Sequence, residues 1–153
     1  MGCIMNMPNS FRGQGRKRFC LVLVKPSHYD EEGYVIQWLR SPIPSNSLAS
    51  LYGLATDCAE RRVLGEDVDI DIHAFDETNT RIRSERIARL IETAGAGMVM
   101  LTGVQSNQFP RALDIARPLH RRGIAVRWRR DEFRRGTRLS LSVLVLYHHQ
   151  RPG

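Results

Sequence analysis

Nothing in this chain is spaced to hold a metal cluster through its own thiols. The three cysteines, Cys3, Cys20 and Cys58, form no CxxC pair, and an odd number at scattered positions does not build a disulfide framework. Reduced thiols of no special role are therefore expected. The CxxxCxxC triplet that holds a 4Fe–4S cluster is missing, which excludes that chemistry from the chain acting alone. Neither GxGxxG nor GxxxxGK(S/T) occurs, so dinucleotide and nucleoside triphosphate binding have no motif behind them. No apolar run approaches the roughly 20 residues that span a bilayer. In the first twenty residues the basic cluster follows the apolar ones, the reverse of a secretory signal, so no membrane partner and a cytoplasmic location are expected.

What is present suits one domain. The 153 residues are 42% hydrophobic, enough for a single core of ordinary size. The net charge of +7 is unevenly placed. Residues 1–20 hold four basic and no acidic residues, residues 21–120 ten basic and fourteen acidic, and residues 121–153 nine basic and two acidic. The segment that reads as folded is thus mildly acidic and the excess sits in the ends, which fits solvated tails better than a nucleic-acid groove. With no recognised nucleic-acid motif and no aromatic stacking series, no nucleic-acid partner is expected.

Apolar periodicity sets out the elements. Residues 19–25 (FCLVLVK) form a short, β-branched run that reads as a buried strand ending at Pro26. After a loop with Gly33, Pro42 and Pro44, the trio Ser45, Asn46 and Ser47 offers caps to a helix carrying Leu48, Leu51, Leu54, Ala55 and Cys58 toward a core, and Gly65 closes the connection. Residues 68–75 (VDIDIHAF) alternate, which predicts a strand with one wet face at a sheet edge. Ser84 is read as the cap of a helix with Ile87, Leu90, Ile91 and Ala94 inward and Gly95 as its left-handed terminator. Residues 97–103 (GMVMLTG) form a second buried strand. Pro110 opens a helix bearing Leu113, Ala116 and Leu119, with Pro118 expected to bend its last turn, and residues 124–126 start a further strand.

Strands alternating with helices call for an α/β fold, a doubly wound parallel sheet with helices on both faces. Ligands then bind beyond the carboxyl ends of the strands, which here means residues 26–33, 76–80 and 102–108. After Val126 the text changes: six arginines precede Ser140, and LSLSVLVLY (139–147) offers one more strand with no helix after it. The division expected is a basic tail over 1–18, a domain over 19–126 and an arginine-rich tail over 127–153, with the fold incomplete at its C-terminal end.

The three loops carry the candidate site residues. The first holds Ser27, His28 and Gly33, the second Asp76 and Asn79, which also suit turn-shaping. The third is the most informative: Thr102 ends a buried strand, Gly103 permits close approach to the backbone, and Val104 leads into Gln105, Ser106, Asn107 and Gln108. Neutral polar groups in such number suit a large, flat, amide-bearing ligand better than a phosphate or a metal ion.

The succession LVLVKPSHYDEEGYVIQW, SPIPSNSLASLYGLA, FDETNTRI and GMVMLTGVQSNQFPRALDIARPL resembles the amino-terminal cobalamin-binding domain of radical-SAM proteins, over about Phe19 to Val126. The resemblance implies a flavodoxin-like fold with the corrin over the carboxyl ends of the strands and, in the full family, a separate radical-SAM catalytic domain. The family's DxHxxG after the first strand is matched by His28, the candidate cobalt ligand, with Pro26 in place of the Asp and Gly33 two residues late. Its SxL after the third strand looks like Thr102, Gly103 and Val104, whose hydroxyl would meet the nucleotide tail. The GG after the fourth strand is replaced by Arg127, Trp128, Arg129 and Arg130.

The implied function is corrinoid carriage, with cobalamin bound through Ser27, His28, Asp76, Thr102, Gly103, Val104, Gln105 and Ser106, and with no catalysis and no S-adenosylmethionine site in this chain. Two other readings stand beside it: a receiver-like regulatory α/β module without cofactor, and a non-functional fragment.

Overall fold

Residues 19–24 are apolar and buried on both faces, and their strand is the axis of the sheet. The computed structural model describes residues 16–38 and 45–130. Strand β1 (Lys17–Lys25) begins two residues before the apolar run, because Lys17 and Arg18 pair with the neighbouring strand and hold their charges at its exposed end. Helix α1 (Asn46–Glu60), strand β2 (Val68–Asp76), helix α2 (Ser84–Ala94), strand β3 (Gly97–Val104), helix α3 (Phe109–Arg121) and strand β4 (Ala125–Arg130) follow. The four strands are all parallel in the order β2-β1-β3-β4, an α/β flavodoxin-like arrangement. β4 runs through Arg130 and so carries the sheet past Val126. The expected strand at 139–147 lies outside the described residues.

Each face of the sheet has its own core. Cys20, Val22 and Val24 of β1 join Val99 and Leu101 of β3 beneath α2 and α3, which contribute Ile87, Ile91, Ile115 and Leu119. Phe19, Leu21 and Leu23, with Ile70 and Met98, face α1. β2 is an edge strand, as its alternation requires: Val68, Ile70 and Ile72 pack on the α1 side while Asp69, Asp71 and His73 face away. Arg16 reaches Asp69 at 3.2 Å, and Arg18 pairs with Asp71.

Local signals place most helix ends. The Ser45 hydroxyl accepts from Leu48 N at 3.3 Å and caps α1, and Gly95 (φ +83°) terminates α2 in the left-handed region. Two expectations, on Leu54 and Ser84, need correction. Leu54 is 45% exposed because α1 turns Leu48, Leu51, Tyr52 and Ala55 to the sheet, about 100° away around the helix. Ser84 is not a cap: Arg83 holds that position without a side-chain bond, and the Ser84 hydroxyl instead donates to Ile115 O at 3.3 Å. In α3 the fully buried face is Ala112, Ile115, Ala116 and Leu119, leaving Leu113 half-buried, and the helix continues through Pro118 to Arg121.

The strand order reverses between β1 and β3, since β1 leads through α1 to one side of the sheet and β3 through α3 to the other. Such a reversal opens a crevice at the carboxyl ends of the two strands. Among the described residues, no helix is long and apolar enough to cross a membrane.

Candidate functional site at the carboxyl ends of the strands

The loop after β1 folds back on itself and ties two strand ends together. Pro26 and Ser27 go straight into the interior, Ser27 being fully buried. The Ser27 hydroxyl donates to Ile36 O at 2.5 Å, Ile36 N donates to His28 O at 2.9 Å, and Tyr29 bridges Val35. Further on, Trp38 N donates to Thr78 O (2.8 Å) and Gln37 Nε2 to Glu77 O (3.3 Å), so the loop spans the ends of β1 and β2. Ser27 thereby holds the loop's shape. The His28 side chain is half-buried and has no hydrogen-bond partner among the described residues.

At the centre of this arrangement stands Glu77, which sequence reasoning passed over. Its side chain is 1% exposed and lies between two loops: Ser27 N donates to Oε2 at 3.0 Å, and Arg111 of α3 forks onto both oxygens, with Nη2 2.6 Å and Nε 3.0 Å from Oε1. Burial works against the Arg111 charge, but the hydrogen bonds and charge of Glu77 outweigh it and hold the guanidinium above its usual pKa. The pair links the ends of β1 and β2 to the start of α3, across the crevice on its α3 side. No local signal marks it, because the partners are 34 positions apart.

Arg111 also stacks on Tyr29 at 5.9 Å from the ring centre, and the Tyr29 hydroxyl donates to Asp114 Oδ2 at 2.5 Å. Burial and then the Asp114 bond raise the Tyr29 pKa above its ordinary 10.0, against Arg111, which lowers it. Because the folded state keeps this proton longer than the unfolded chain, the contribution is fully present below pH 10 and is lost as pH rises beyond it. In a phenolate absorbance titration, the step that Tyr29→Phe abolishes should fall in Asp114→Asn. An unchanged step would remove Asp114 from the account.

The other candidates separate into two sets. Asp76 is engaged by its own turn, accepting from Thr78 N (3.0 Å) and Thr78 Oγ1 (2.6 Å), with Lys25 Nζ 3.8 Å away. Thr102 is 4% exposed, and Gly103 adopts φ +63° beside Ser47 at the start of α1. Val104 turns into the core beneath α3. The chain then surfaces: Gln105, Ser106 and Asn107 are exposed, while Gln108 is buried and accepts from Gln105 N at 3.0 Å.

Val104, Gln105 and Ser106 line a cavity of about 280 Å³ at the ends of β3 and β4, together with Phe109 and Trp128. These two aromatics meet edge-on, 6.2 Å between centroids and 81° between planes, and both stay more than 40% exposed. The sequence marks Trp128 only as standing where the family has glycine and gives Phe109 no role. Their joint position depends on β4 lying beside β3, which periodicity does not report.

Among the described residues, no group of three His, Cys, Asp or Glu side chains is placed to hold a metal ion. Comparison with protein-family models, with curated proteins and with solved structures finds no match.

Proposed function

We propose that the chain is a cytoplasmic corrinoid carrier, binding cobalamin over the carboxyl ends of its strands and presenting it to a separate radical-SAM catalytic domain. The observation that carries the reading is the cavity lined by Val104, Gln105, Ser106, Phe109 and Trp128. It joins neutral hydrogen-bonding groups to two exposed aromatic faces, the surface an amide-fringed ligand with an aromatic base requires. At about 280 Å³ it accepts a ring-sized part of such a ligand, and the rest would lie over the open rim.

The residues present fit in that region. Gln105 and Ser106 offer side-chain donors and acceptors to peripheral amides. Phe109 and Trp128 shield an apolar ring from water, and Gly103 lets a ligand approach the backbone beside Ser47. His28 is the candidate for an axial bond to cobalt, with an imidazole that no described neighbour engages. A bound methylcobalamin would supply the methyl group, for transfer in the partner's active site.

The runner-up is a regulatory α/β module without cofactor, and one observation favours it: the Glu77–Arg111 pair fills the α3 side of the crevice with protein. Titration with hydroxocobalamin separates the two. Corrinoid carriage predicts a shifted visible spectrum and a raised Tm, with Trp128→Ala weakening uptake about tenfold, as loss of a well-packed aromatic contact does. Saturating hydroxocobalamin that leaves spectrum and Tm unchanged rules the carrier reading out.

A further inference from the structure

A second concavity lies between the outward face of β2 and helix α2, running from Arg18 near the start of β1 to Arg81 and Arg83 beyond the end of β2. It is a half-open cleft of about 800 Å³, within the range of small-molecule sites, lined by Arg18, Arg81, Arg83, Arg86 and Arg89 together with His73. The carboxylates there are Asp71, held by Arg18, and Glu85.

Four of these arginines differ from most of the others among the described residues, and unlike Arg121 and Arg127, which also lack a carboxylate partner, they are gathered on one cleft. Arg16, Arg61, Arg62, Arg111, Arg117 and Arg122 each have a carboxylate within 4 Å. Among the described residues, Arg81, Arg83, Arg86 and Arg89 have none, and all four converge on the one cleft. Once Arg18 and Asp71 cancel, four cations face the single carboxylate of Glu85. Like charges brought together without counter-charge repel, so the arrangement is stabilised by an anion from outside. α2 adds to this, because its N-cap Arg83 contributes no side-chain acceptor to the helix's first N–H groups, which lie at the cleft's edge.

We infer that this cleft binds a small anion carrying two or more phosphoryl groups, in the manner of a nucleoside di- or triphosphate. Guanidinium forks match phosphoryl oxygens, and Arg86 and Arg89, one helical turn apart, can grip neighbouring groups on one chain. A single phosphate carries a charge of about −1.5 to −2 at neutral pH, less than the surplus of four arginines over Glu85. A nucleic-acid strand is disfavoured by what surrounds the cleft: residues 21–120 carry more acid than base, and Asp67 and Asp69 continue along β2. The site shares no lining residue with the cavity at the ends of β3 and β4.

The test is calorimetric titration of the full chain at low salt with tripolyphosphate, ATP, inorganic phosphate and a 20-residue oligo(U), taken as about 20 nucleotides to exceed the cleft. Tripolyphosphate and ATP should bind at least tenfold more tightly than inorganic phosphate and more tightly, per site, than oligo(U). Arg86→Gln with Arg89→Gln should weaken ATP about a hundredfold. Both side chains are exposed and glutamine favours helix, so the fold is retained, and Arg81→Gln provides a second variant outside the helix. Arg61→Gln, on α1, should leave binding unchanged. Hydroxocobalamin uptake by the doubly substituted chain reports the rim separately. Equal affinity for ATP in the double variant and the parent, tighter oligo(U) than ATP, or no heat with tripolyphosphate overturns the inference.

Discussion

Arg111→Met should lower the stability of the chain by about 3–5 kcal/mol, the cost of stranding a buried charge. Glu77 has 1% of its side chain exposed and takes its charge compensation from the Arg111 fork. With methionine there, the aliphatic volume is kept, and the carboxylate retains only the Ser27 N–H at 3.0 Å. Against the 5–15 kcal/mol of an ordinary domain this loss is large. Glu77→Gln should cost less, about 1–3 kcal/mol, because the amide oxygen still accepts from Ser27 and the partly exposed Arg111 can turn its charge to water. The order of the two variants in chemical denaturation is the diagnostic. An Arg111→Met midpoint matching that of the parent would show that the pair does not hold the strand ends together.

The same pair marks the boundary of what could be read without coordinates. Elements defined by periodicity were legible: the alternation of VDIDIHAF placed an edge strand with Asp69, Asp71 and His73 outward, and Gly95 was recognised as a left-handed terminator. The parallel sheet followed from alternating strands and helices. Leu54 and Ser84 were misjudged because each sits within one residue of a position that fits, and backbone trajectory decides between neighbours. The expected rim sets three loops on one edge, and two of them, 26–33 and 76–80, are joined where Ser27 N donates to Glu77 Oε2 at 3.0 Å. Glu77 with Arg111 and Phe109 with Trp128 arise from tertiary neighbours, and no spacing along the chain encodes them.

Gly97→Ala should be more damaging than its single methyl suggests. Gly97 opens β3 directly opposite Cys20 of β1, and a Cβ built there lies 2.3 Å from the Cys20 carbonyl oxygen and 3.1 Å from its carbonyl carbon. The obstacle is backbone, so no side-chain rotation relieves it, and the two central strands must part where Cys20 N donates to Ala96 O at 2.9 Å. Overpacking costs about 1–3 kcal/mol where side chains can yield. Here a ladder hydrogen bond worth about 1 kcal/mol is disturbed as well, and the loss should exceed 3 kcal/mol. Gly53→Ala is the matched control, since nothing lies within 4 Å of its Cβ position and it sits inside α1. That substitution should stabilise by about 0.5–1 kcal/mol through helix propensity. Opposite shifts in Tm for two glycine-to-alanine changes are the expected result. A Gly97→Ala chain melting with the parent would mean that β1 and β3 are not in contact at Cys20, and the strand order on which both sites depend would fail with it.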